Sequence, residues 1–163
     1  MKNRFLGIFI CCLIAGAAQA ATKTELYNGN AYAFLDKEDS KALYKALEGQ
    51  PGRSFQTTDK AVGIFCSIPK GRNPNPADNP SCFVSIHLNP ANYTKIKQIG
   101  NTSVRAKLDQ VDSGDLFEAL KIEPSKDRFR KRFKTHDSQF SLSCQQKTQP
   151  ETCTFVIRLE KQE

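Results

Sequence analysis

Apolar residues recur along this chain with two different periods, and the periods follow one another in the same order twice. Ala31, Ala33 and Leu35 recur at every second position, as do Val104, Ala106 and Leu108. Such alternation predicts a half-buried β-strand. Leu43, Tyr44, Ala46 and Leu47 then recur at the spacing of one helix face, and so do Leu116, Phe117, Ala119 and Leu120. Alternation returns at Val62, Ile64 and Cys66, matched by Phe140, Leu142 and Cys144. It returns once more at Cys82, Val84, Ile86 and Leu88, matched by Cys153, Phe155, Ile157 and Leu159. The pattern predicts an α+β fold of two tandem strand-helix-strand-strand repeats, with helices packed on antiparallel sheet. It leaves open whether the two halves share one sheet.

The residues themselves repeat as well. Ala33 to Leu47 aligns with Ala106 to Leu120, with eight of fifteen residues identical, and Phe55 to Cys66 aligns with Phe133 to Cys144. Asp39-Ser40 and Asp112-Ser113 sit where a helix needs an N-cap, and Asp36 and Asp109 end the preceding strands. Asp59 and Asp137 precede strands as turn residues. Because these carboxylates recur in both copies, capping and turn formation account for them without catalysis. The expected organisation is a leader over 1–20, a first repeat over 21–90, a linker over 91–101 and a second repeat over 102–163. Ile99 and Asn101 match Leu26 and Asn28, so the linker runs directly into the second copy.

Met1 to Ala20 has basic residues at Lys2 and Arg4, an apolar run from Phe5 to Gly16, and Ala18-Gln19-Ala20 before Ala21. That order reads as a Sec-type signal peptide, hence export to a periplasmic or extracellular compartment. Four cysteines follow it: Cys66, Cys82, Cys144 and Cys153. In an oxidising compartment an even number reads as disulfides. Within each half one cysteine ends a strand and the other begins the next, which favours Cys66 with Cys82 and Cys144 with Cys153 as hairpin staples. The clustered Cys/His spacing of a metal site is absent, so no metal and no cofactor is expected.

Without the leader, 22 Lys+Arg face 17 Asp+Glu, a net +5, and Lys126 to Lys134, KDRFRKRFK, alone sums to +5. Lys126, Arg128, Arg130, Lys131, Arg132 and Lys134 are therefore candidate anion-binding residues, those from Lys126 to Arg132 lying in an enlarged connection of the second repeat. On a helical turn Phe129 and Phe133 would share a face there. In the first repeat the connection between the cysteines is longer and proline-rich, which makes Lys70, Arg72, Asn73, Pro74, Asn75 and Pro76 a candidate partner-binding loop. His87 takes an outward position and His136 the place of Thr58; no nucleophile motif accompanies either. The chain is accordingly read as an exported non-enzymatic binding protein, a protein inhibitor or envelope-associated module. The alternative is a binder of anionic surfaces, lipid headgroups or polyanionic glycans, through the basic loop. A small secreted hydrolase is a distant third. The expected partner is a protein or an anionic envelope surface, with no nucleic acid and no transmembrane span.

Overall fold

The computed structural model describes residues 21–48, 50–68, 80–89, 93–123, 129–146 and 151–160. It contains two antiparallel five-stranded sheets and two helices, an α+β architecture. The first sheet is built from β1 (Lys23–Tyr27), β2 (Asn30–Phe34), β3 (Ser54–Gln56), β4 (Val62–Ser67) and β5 (Ser81–His87), with α1 (Lys37–Ala46) following β2. The second is built from β6 (Lys95–Ile99), β7 (Ser103–Lys107), β8 (Arg130–Lys134), β9 (Phe140–Gln145) and β10 (Thr152–Arg158), with α2 (Gln110–Ala119) following β7. The strand orders are β1-β2-β5-β4-β3 and β6-β7-β10-β9-β8. Among the described residues no helix is long and apolar enough to cross a membrane.

Each half holds two strands more than the apolar pattern indicated, β1 and β3 in the first and β6 and β8 in the second. β1 and β6 are edge strands whose side chains are mostly exposed, so they lack the buried stripe that reveals a strand in sequence. β6 lies within 91–101, the stretch read as a linker. Asn28 and Gly29 close the β1–β2 hairpin, both at positive φ (47° and 73°). An Asn-Gly pair suits that two-residue turn, whose twist matches the flanking strands. The basic stretch also differs from expectation. Arg130 to Lys134 is not part of a loop or a helical turn but edge strand β8, paired with β9 from Arg130↔Gln145 to Lys134↔Ser141.

The helix caps are Asp36 and Asp109 rather than the Asp-Ser pairs three residues on. Each has extended backbone, and its carboxylate accepts the amide of Asp39 or Asp112 at 2.8 Å. A cap must stand outside the helix while reaching the amide two or three residues ahead, and only these two positions do. Asp39 and Asp112 are thereby left inside the first turn with carboxylates available for other partners. The serines that follow fasten the helices to the sheets. Ser40 Oγ accepts from the Cys82 amide at 3.0 Å and Ser113 Oγ from the Cys153 amide at 2.9 Å.

One cluster of buried side chains draws on both halves, from Leu43, Ile64 and Ile86 to Leu116, Phe140 and Phe155. Disulfides Cys66–Cys82 and Cys144–Cys153 join directly opposed residues of β4–β5 and β9–β10. In the chain-entropy account a disulfide stabilises by limiting the unfolded chain, more for a longer loop. Replacing either cysteine pair by alanine should therefore cost about 2–4 kcal/mol in urea unfolding. The 16-residue separation of Cys66 and Cys82, against 9 for the other pair, makes its loss the larger by about 0.5 kcal/mol.

Candidate functional site

Alternation places one side chain of every two on the outer face of each sheet, and the two outer faces differ in kind. On the first sheet, Tyr32 and Phe34 of β2, Phe83 of β5 and Phe65 of β4 form a strip of rings with centroids 5.2–5.9 Å apart. Phe65 lies over Gly63, where a Cβ would meet its ring. Lys23 and Glu25 pair with each other at 3.3 Å, leaving this face close to neutral.

The second sheet carries no ring among its outward residues. Strand register defines one row as Lys95, Lys107, Thr154, Ser143 and Arg132, and the next as Lys97, Arg105, Val156, Ser141 and Lys134. Arg130 and Arg158 extend the face at either end. Eight cations thus share one face with no carboxylate among its outward positions, and none of them forms an ion pair among the described residues. Seven of the long basic side chains stand on β6, β7 and β8, while the intervening β9 and β10 present mainly Ser and Thr, with Arg158 at the end of β10. With strands about 4.8 Å apart, β7 and β8 lie about 14 Å from each other, flanking a shallow hydroxyl-lined strip.

Of the basic residues expected to act together, Arg130, Arg132 and Lys134 lie on this face. Arg130 donates from Nε to the Gln145 side-chain oxygen at 3.0 Å, with that oxygen turned toward the guanidinium. Lys131 points inward instead. Its ammonium donates to the carbonyls of Phe117 and Leu120 at 2.6 and 2.8 Å and lies over the Phe117 ring, so it caps the end of α2, and burial lowers its pKa. Lys126 and Arg128 lie outside the described residues, as do Lys70, Arg72, Asn73, Pro74, Asn75 and Pro76. Lys95, Lys97, Arg105, Lys107 and Arg158 had no local signal. Lys95 with Lys97 and Arg105 with Lys107 form short alternating pairs, and these meet one another and Arg158 only through sheet register.

A second polar assembly joins the halves. The Thr57-Thr58-Asp59 turn docks on the start of α2: Asp112 Oδ1 accepts from the Thr58 amide at 2.9 Å and its hydroxyl at 2.8 Å. The corresponding Thr135-His136-Asp137 turn docks on the start of α1. There Asp39 Oδ2 accepts from the His136 amide at 3.2 Å and lies 2.8 Å from the ring Nδ1, which is also 3.0 Å from Asp36 Oδ2. The hydrogen bond with Asp39, with the nearby charges of Asp36 and Asp137, raises the imidazole pKa above its ordinary value despite some desolvation. His87, on the outer face of the first sheet, is remote in role: its Nδ1 accepts only the Asn89 amide.

No protein-family model, curated protein or solved structure matches the chain.

Asp59 and Asp137 close both turns and tie them to the chain beyond. Asp59 accepts from Thr57 and Ala61 through one oxygen and from the Thr94 amide through the other. Asp137 does likewise with Thr135, Gln139 and Thr22. Burial alone would push the Asp59 carboxyl up, yet these hydrogen bonds outweigh it and hold the pKa at about 2. A carboxyl depressed in the folded state adds stability at neutral pH that is lost as pH falls from about 4 through about 2. Asp59→Asn should cost about 1 kcal/mol at neutral pH, allowing for partial exposure, and should flatten this acid limb in a pH series of urea titrations.

Proposed function

We propose that this is an exported protein of two tandem α+β units that binds a linear polyanionic glycan along the outer face of its second sheet. One observation supports the reading above the others: eight cations share that face without a carboxylate partner. Like charges held together raise the free energy of the fold, and an anionic partner relieves the repulsion. A net charge of only +5 outside the leader makes the segregation a property of this face rather than of the whole chain.

The face also favours one class of polyanion. Rows of cations flanking a hydroxyl strip suit a chain lying along the strands, its sulfate, phosphate or carboxylate groups reaching the rims and its oxygens meeting Ser141, Ser143 and Thr154. Nucleic acid would want exposed rings for base stacking, and this sheet offers none. A bilayer would gain little anchoring from a face whose only apolar outward residues are Val156 and Ile99. The protein-inhibitor reading rests on the proline-rich loop, which lies outside the described residues.

Heparin is a suitable probe, compared with a single-stranded oligonucleotide and with phosphatidylglycerol vesicles. Heparin binding should be the tightest of the three and should weaken steadily with added salt. Arg105→Glu and Arg132→Glu, which sit on opposite rims, should each reduce it about tenfold, since each basic residue near an anionic surface contributes about 1 kcal/mol and reversal adds repulsion. Tighter binding to vesicles or oligonucleotide would reject the glycan, and unchanged binding by both variants would reject the face.

A further inference from the structure

The junction of the two halves gathers a second group of polar side chains, one of which also caps α1. We propose that Asp36, Asp39 and His136 form a site for a divalent transition-metal ion, Zn²⁺ being the probe of choice, which clasps the two halves together. Asp36 Oδ2 and Asp39 Oδ2 converge on the same imidazole nitrogen, at 3.0 and 2.8 Å, and the three ligand atoms all lie within 4.8 Å of one another. Zn²⁺ bonds imidazole nitrogen and carboxylate oxygen at about 2.0–2.2 Å, so tetrahedral ligands stand about 3.3 Å apart. The two short sides of this triangle need open by only a few tenths of an ångström to admit the ion.

The surroundings hold the ligands in place. The other oxygen of Asp36 is fixed by the Asp39 amide at 2.8 Å, and the Asp39 carboxylate is gripped by the His136 amide at 3.2 Å. Both carboxylates are largely buried, while the imidazole is 37% exposed, so water has access to the fourth position. Two carboxylates neutralise the dication. One imidazole with two carboxylate oxygens is a mixed donor set of the kind zinc accepts and that hard ions such as Mg²⁺ do not require.

The other junction is a built-in comparison. Asp109 and Asp112 repeat the carboxylates there, but Thr58 stands where His136 would be and donates its amide and hydroxyl to Asp112 Oδ1, leaving the buried Oδ2 without a partner among the described residues. Nitrogen is thus supplied on one side only, and the site appears once. Sequence spacing could not reveal it, because Asp39 and His136 are 97 residues apart and belong to opposite halves.

The test is calorimetric titration of the chelator-stripped, oxidised protein with Zn²⁺, together with imidazole NMR and thermal unfolding. One ion should bind, shifting the His136 ring resonances while leaving those of His87, the only other histidine, in place. The ion should also raise Tm. His136→Thr copies the residue that works at the other junction, and Asp36→Asn keeps a good N-cap. Each should lower affinity at least tenfold and abolish the rise in Tm, whereas Asp109→Asn should change neither. Absence of stoichiometric binding, or binding that His136→Thr and Asp36→Asn leave intact, would overturn the site and leave His136 a proton-bearing clasp only.

Discussion

The structure depends on a crossed exchange between its halves, in which the carboxylate in the first turn of each helix accepts hydrogen bonds from the other half of the chain. Asp39 takes the His136 turn and Asp112 takes the Thr58 turn. A helix start offers amides that want an acceptor, and the N-caps Asp36 and Asp109 meet that need. The next carboxylate along is then nearly buried and would be costly without donors. Each half supplies what the other lacks, so neither helix start is complete in isolation. The core follows suit, with residues of both sheets in one buried cluster.

Given that arrangement, the two outer faces are free to differ in chemistry, and they do. The core positions of the sheets correspond closely: Ile64 and Leu142, Val84 and Phe155, and Ile86 and Ile157 are all fully buried. The outward positions between them carry rings on one sheet and cations or hydroxyls on the other. Packing constrains the inner face, because a lost or added methylene is felt there. The outer face is under no such restraint, so the chemistry of each sheet resides in alternate residues.

That division also explains how much was legible in the sequence. Strands with a buried stripe, both helices and the hairpin cysteines announce themselves through periodicity and spacing. Edge strands β1 and β6 do not, because exposed residues such as Lys95 and Lys97 repeat no apolar period. The local run at Lys126 to Lys134 drew attention to charge, but Lys131 serves the end of α2 while Lys107 and Arg158, unremarkable in sequence, complete the face. A near-zero charge sum over the rest of the chain concealed this, since carboxylates on α2 and in the turns cancel the cations in number but not in place. The His136 cluster was illegible for a related reason, its members being brought together only by the crossed junctions.

The placement of the cations has a consequence for self-association. β6 and β8 are the open edges of the second sheet, and unpaired edge backbone is a template for another strand. Lys95 and Lys97 on one edge and Arg130, Arg132 and Lys134 on the other set like charges against any second copy that approaches either edge. The positive edges of the second sheet thus oppose its joining to another sheet edge to edge. Neutralising those side chains, by whatever anion, removes the barrier and leaves solubility to the remainder of the surface.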